Sequence, residues 1–91
     1  MAICRIIETG ATPEQYDQVS ERLVIAASPP PGAQFHVAAV GDGGTIRVLE
    51  VWDSRDEAEQ FSQRVRAARA EVGLTGAPSI AYMDLHRLLT A

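Results

Sequence analysis

A β-α-β-β-α-β chain, with a four-stranded antiparallel sheet and two helices on one face, is the α+β fold that three observations predict. Apolar segments of strand length lie at residues 2–8, 34–40, 45–53 and 79–88. Two segments with apolar residues three and four apart, at about 13–27 and 54–72, follow the first and third of them. Gly41-Asp42-Gly43-Gly44 joins the second and third strands and reads as a hairpin, because these residues accept positive φ cheaply.

Each element has its own justification. The first strand (AICRIIE) is stopped by Gly10. Thr12-Pro13-Glu14-Gln15 then supplies an N-cap, a Pro at the first helical position and a Gln three residues after the cap. Tyr16, Val19, Leu23 and Ala26 line one side of that helix. Ser28-Pro29-Pro30-Pro31-Gly32 ends it, since Pro offers no N–H and disfavours helix before it. The second strand is QFHVAAV. The third delivers the single Trp into Val51-Trp52-Asp53-Ser54-Arg55-Asp56-Glu57. Ser54 can accept from the Glu57 backbone N–H while the Glu57 side chain reaches back, a capping box that fixes Trp52 at the junction of sheet and helix. Ala58, Phe61, Val65, Ala68 and Val72 trace the apolar face of the second helix, and Gly73 fits a left-handed C-cap. Thr75-Gly76-Ala77-Pro78 is a loop before the fourth strand, SIAYMDLHRL. This order is the ferredoxin-like, split βαβ arrangement, in which strands one and three are central.

Ninety-one residues make a single domain, 1–91, that buries roughly two-thirds of its unfolded surface. The net charge is −4, and the eight basic residues, all Arg, form no stripe, so nucleic acid is not an expected partner. The chain has no Lys, which excludes Schiff-base chemistry, and no Asn, which excludes a mechanism needing its amide. Cys4 has no partner for a disulfide and reads as a small core residue. No apolar stretch approaches a membrane span and the first residues lack signal-peptide features, so no membrane partner and a cytoplasmic location are expected.

The strands are apolar on both faces. Ile3 and Ile7 oppose Cys4 and Ile6; Ile46, Val48 and Trp52 oppose Leu49 and Val51; Phe35, Val37 and Ala39 oppose Ala38 and Val40; Ile80, Tyr82 and Leu88 oppose Met83 and Leu85. A sheet with one wet face would alternate cleanly. Two helices cover one face, and leaving several hundred Å² of the other in water forgoes on the order of 10 kcal/mol. The expected remedy is a homodimer packed through the open sheet face around a two-fold axis.

Several residues could carry chemistry. His36, amid apolar strand residues, is a candidate general base or acid, or a core or interface His with both nitrogens satisfied. Alternation puts Tyr82, Asp84 and His86 on one face, where Asp84 could orient His86, or where the strand end is simply wet. Trp52 could wall a pocket or fill the core. Phe61, Tyr16 and Tyr82 are further wall candidates. Arg5 and Glu50, charges in mid-strand, must pair with each other, with a second subunit, or with a ligand; Arg5 or Arg47 would suit a phenolate or carboxylate. One residue of hairpin slip would exchange the faces. No metal-ligand spacing, phosphate loop or nucleophile elbow occurs, so no metal, flavin or nucleotide cofactor is expected.

The run His36-Val37-Ala38, Gly43-Gly44, Arg47-Val48-Leu49-Glu50-Val51-Trp52-Asp53-Ser54 and Phe61 resembles the small dimeric α+β barrel proteins. More narrowly, it resembles their antibiotic-biosynthesis-monooxygenase-like members common in actinobacteria. Thr12 to Asp17 and Asp84 to Leu89 extend the likeness over nearly the whole chain. The resemblance implies a homodimer and a pocket between sheet and helices. In the cofactor-free quinol oxygenases of this superfamily it implies an Asn and a Trp on the third strand. Trp52 matches the Trp, and Val48 stands near the place of the Asn. Haem-degrading relatives carry a His on the second helix, and residues 54–72 contain none. The expected function is a cofactor-independent monooxygenase acting on a small aromatic or polyketide-type molecule in secondary metabolism. Here His36 is the base, Trp52 and Phe61 the walls, and Arg5 or Arg47 the anion stabiliser. The alternatives are a non-redox cyclase or isomerase in the same pocket, and a dimeric ligand-binding protein without turnover.

Overall fold

The computed structural model describes residues 1–23 and 29–91. Its elements are β1 (Ile3–Glu8), α1 (Pro13–Leu23), β2 (Ala33–Val40), β3 (Ile46–Trp52), α2 (Arg55–Glu71) and β4 (Ser79–Asp84). The sheet is antiparallel throughout, in the order β2-β3-β1-β4, so β1 and β3 are central, as the sequence predicts.

Local chemistry sets the element ends. At α1, the Gln15 backbone N–H donates to Thr12 Oγ1 at 3.3 Å, and the Thr12 N–H donates to Gln15 Oε1 at 3.0 Å. At α2, Ser54 Oγ accepts from the Glu57 N–H at 3.2 Å, but its own hydroxyl donates to Glu57 Oε1 at 2.9 Å, so the carboxylate returns to the cap side chain rather than to the cap N–H. The C-terminus of α2 closes on Gly73 at φ 79°, with the Leu74 N–H on the Arg69 carbonyl and the Gly73 N–H on the Ala70 carbonyl, a Schellman motif.

One strand end differs from expectation, and one helix end falls outside the described residues. The expected continuation of α1 through Ala26 to Ala27, and its stop at Ser28, lie outside the described residues. β4 ends at Asp84, not at Leu88. Among the described residues its sole neighbour is β1, which begins at Ile3 opposite Asp84; one further bond, from the Leu85 N–H to the Ala2 carbonyl, uses up the available partner.

Register assigns the faces. Ile3, Arg5 and Ile7 on β1, Ile46, Val48, Glu50 and Trp52 on β3, and His36 on β2 share the helix-covered face. The core on that face forms two clusters. One joins Ile3, Trp52, Ala58, Phe61 and Ala68 to Val19 and Leu23 of α1. The other joins Ile7, Ile46 and Val48, with Tyr16 and Ile80 against them. On the opposite face Ile6 and Val37 remain more than two-fifths exposed, as does Met83.

Candidate functional site

The two core clusters leave a cavity of about 520 Å³ between them, bounded by the sheet, by α1, by α2 and by the loop Leu74 to Pro78. Its walls are apolar over most of their extent: Ile7, Val19, Leu23, Val48, Phe61, Val65 and Ile80. Into this apolar space project His36, Tyr16, Glu50 and Arg5, together with Ser62, Arg66 and Arg69 of α2.

The register of the sheet builds the polar part. Arg5 and Glu50 are direct partners across β1 and β3, and Glu50 and His36 are direct partners across β3 and β2. All three side chains therefore stand in one row on the helix side. Arg5 Nε donates to Glu50 Oε1 at 2.6 Å, and Trp52 Nε1 donates to the same oxygen at 2.9 Å. The other oxygen, Oε2, lies 2.8 Å from His36 Nδ1. A carboxylate only accepts, so Nδ1 carries the proton and Nε2 of the neutral ring is an acceptor. The Tyr16 hydroxyl, 2.6 Å from Nε2, donates to it, with the two rings stacked at 6.2 Å. The result is a Glu50–His36–Tyr16 relay whose inner end is fixed and whose outer end opens on the cavity.

Electrostatics keep the inner end ionised. Burial alone would raise the Glu50 carboxyl, but the His36 hydrogen bond, the Arg5 charge and the bonds from Trp52 and Arg5 together outweigh it and hold the carboxyl below the ordinary glutamate value. Burial raises the Tyr16 phenol; the Ser20 hydroxyl opposes that rise, while the Glu50 and Asp17 carboxylates reinforce it. Tyr16 is therefore a neutral phenol at physiological pH. Arg5 is locked from three further directions. Its Nη1 donates to Ser62 Oγ at 2.6 Å and to Tyr82 Oη at 3.3 Å, and its guanidinium lies 5.5 Å from the Trp52 ring.

The sequence-predicted residues divide accordingly. His36, Tyr16, Phe61 and Arg5 stand in the cavity wall. Trp52 lies one layer deeper, 2 % exposed and 5.3 Å from Phe61, and reaches the site through its bond to Glu50. Tyr82 backs Arg5 and is itself covered by the Arg55 guanidinium at 4.0 Å. Arg47 is on the other face, exposed and 3.6 Å from Glu8, because the alternation that points Val48 inward points Arg47 outward. Asp84 and His86 are exposed at the end of β4, away from the cavity, and no hydrogen bond joins them among the described residues. Glu50 pairs with Arg5, one of the partners the sequence allows it, but its place as the hub and the row Ser62, Arg66 and Arg69 are not evident from the sequence. The signal for Glu50 was present: if the glycine turn pairs Val40 with Ile46, the same register pairs His36 with Glu50. Among the described residues no group of three or more His, Cys, Asp or Glu side chains is placed to hold a metal. No helix among them is long and apolar enough to cross a membrane.

A protein of Chloroflexus aurantiacus, provisionally assigned as an antibiotic biosynthesis monooxygenase, is 26 % identical, covers 99 % of this chain and 98 % of its own, and has a TM-score of 0.70. The fold is that of the antibiotic-biosynthesis-monooxygenase-like proteins. A monooxygenase of Streptomyces coelicolor, solved with nanaomycin D, is 19 % identical over 99 % of this chain and 91 % of its own, with a TM-score of 0.60. A cofactor-independent oxygenase of Streptomyces nogalater is 16 % identical over 99 % and 96 %, with a TM-score of 0.57. The matches extend beyond actinobacteria and so do not single out that group as the source. No protein-family model and no curated protein matches the chain.

Proposed function

We propose that this chain is a cofactor-independent oxygenase acting on a small aromatic or polyketide-type phenol, with proton abstraction as the protein's task. The observation that carries the reading is the Glu50–His36–Tyr16 relay in the wall of an apolar cavity. His36 Nε2 is an acceptor, and the imidazolium it forms on protonation is stabilised by Glu50 at 2.8 Å. The proton reaches it through Tyr16: as the substrate gives a proton to the Tyr16 oxygen, the Tyr16 proton passes to Nε2. Arg5, held in the same wall, stabilises the resulting anion. In an anthrone-type substrate the deprotonated carbon is electron-rich enough to react with O₂. The C–H₂ carbon becomes C=O, one oxygen atom enters the product, the other leaves as water, and the four electrons come from that carbon. The likeness of fold to the Streptomyces oxygenases supports this reaction class.

One observation favours a second reading. Val48, which lines the cavity, offers no amide to hold reduced oxygen. A cyclase or isomerase that only moves protons needs none, and the relay serves it equally. The test is oxygen uptake with an anthrone-type phenol, beside deuterium exchange of its acidic C–H in D₂O. Uptake lost in His36→Ala supports the oxygenase. Exchange without uptake supports the proton-moving enzyme. Neither activity, or uptake indifferent to His36→Ala, defeats the base assignment.

A homodimer through the open sheet face is part of the proposal. Ile6, Val37 and Met83 form exposed apolar surface there that neither helix covers.

A further inference from the structure

The ionisable side chains around the cavity do not balance. Three arginines line it, Arg5, Arg66 and Arg69, against a single carboxylate, Glu50. Arg5 and Glu50 neutralise one another at 2.6 Å. Arg66 and Arg69 are left, and among the described residues neither has a carboxylate within ion-pair distance. The surplus is cationic in a chain of net charge −4, so the cavity has the opposite sign to the protein around it. Arg69 is 9 % exposed, and the one hydrogen bond of its side chain among the described residues is from Nη2 to the Thr9 carbonyl at 3.2 Å. A buried guanidinium with a single neutral partner is costly until an anion arrives.

Position along the sheet separates this charge from the relay. Thr9 lies four residues beyond Arg5, so Arg69 is tethered about 13 Å along the strand direction from the Arg5–Glu50–His36 row. Arg66 and Arg69 share one side of α2, three residues apart. His36 stands on one edge strand, and the loop beside these arginines leads into the other.

We propose that the cavity takes its ligand as an anion, with a carboxylate against Arg66 and Arg69 and the apolar body reaching to His36. This deepens the function proposed above, since it names the substrate class of the same site. The ligand is an aromatic carboxylic acid whose acid group lies on the order of 10 Å from the carbon or hydroxyl that loses its proton. The planar fork of Arg suits carboxylate, and the low polarity of the remaining wall strengthens the attraction.

The test reads binding rather than turnover, so a failure of the oxygenase reading leaves it intact. Naphthalene-2-carboxylate and naphthalene-2-carboxamide, equal in shape and different in charge, are titrated into the full chain by calorimetry at pH 7. The carboxylate binds at least tenfold more tightly at 50 mM salt, and the difference shrinks at 500 mM. Arg69→Gln removes most of that preference while leaving the carboxamide affinity as it was. Arg66→Gln, at an exposed position that folding does not depend on, lowers it several-fold. Equal affinity for the two probes, including absence of binding by both, overturns the proposal, as does an undiminished preference in Arg66→Gln.

Discussion

Arg5 and Glu50 face each other across the two central strands, 2.6 Å apart, with 1 % and 3 % of their side chains exposed. A buried ion pair of this kind adds little net stability, because desolvating both charges offsets most of their attraction. Its consequence here is orientation. Arg5 and Trp52 hold one carboxylate oxygen, which leaves the other aimed at His36 Nδ1. The charge pair in the core thereby decides which nitrogen of His36 is free to take a proton.

Removing one member exposes this arrangement. Glu50→Gln leaves Arg5 buried without a counter-charge, and a loss of about 3 kcal/mol in urea unfolding is expected. The same change removes the acceptor that keeps the proton on Nδ1, so turnover falls with it. A variant as stable as the parent would mean that Arg5 finds another partner.

The pair also predicts a pH dependence. The folded-state carboxyl of Glu50 lies below its ordinary value of 4.5, burial being more than offset by His36, Arg5 and Trp52. Its contribution to stability is thus present above pH 4.5 and is lost as the pH falls through the folded-state value. Measured as urea midpoints from pH 6 to pH 3, the gap between the parent and Glu50→Gln should narrow on the acid side. A constant gap would contradict the shift.

His36→Ala should lower turnover by roughly 10²- to 10³-fold, the range of a lost general base. It should cost little stability, since 36 % of the side chain is exposed. Tyr16→Phe is expected to stay within about tenfold of the parent, because Nε2 then meets the substrate directly. The ratio of the two rates at fixed substrate concentration checks the order: a Tyr16→Phe defect larger than that of His36→Ala would make Tyr16 the essential group.

Much of this fold could be read from the chain, and the reasons are local. Thr12 with Gln15 and Ser54 with Glu57 announce their helices within four residues. Gly73 announces where the second one stops. The relay was less legible because it joins residues 14 and 20 positions apart, and two more reach Arg5 from 57 and 77 positions away. Periodicity fixes which side chains share a face, but not which face the helices cover. That choice depends on the pairing of Val40 with Ile46 around the glycine turn. Arg47 and Val48 are neighbours in sequence, yet one is in solvent and the other in the cavity wall. Arg66 and Arg69 fall outside the apolar spacing of α2, and nothing in that spacing reports the gap between the two core clusters.

Gly32 carries a steric prediction. Its φ is 83°, and a Cβ there would meet the Glu57 carboxylate, the same group that accepts from Ser54 Oγ at the start of α2. Gly32→Ala therefore strains the backbone and displaces the cap together, at a cost of about 2 kcal/mol. Gly73, at φ 79°, has open space where its Cβ would be, so Gly73→Ala should cost about 1 kcal/mol, the backbone strain alone. Comparing the two midpoints in urea isolates the contribution of Glu57. Equal costs would show that the carboxylate swings aside without loss.

Ile6 tests the proposed dimer. On the face without helices, Val37, Leu49, Ile6 and Ala81 are successive register partners and form one apolar row across all four strands. Ile6, on a central strand, is 41 % exposed. A second copy packed face to face would cover this row, and a stable interface buries about 800 Å² on each partner. A carboxylate at the middle of such a contact would be desolvated, and Arg47, the nearest cation on that face, is already paired with Glu8, so Ile6→Asp should convert a dimer at micromolar concentration into a monomer. Because Ile6 points away from the cavity, the monomer should retain its fold and still bind an aromatic ligand. Sedimentation equilibrium of parent and variant decides the matter: a parent that sediments as a single subunit removes the face-to-face dimer.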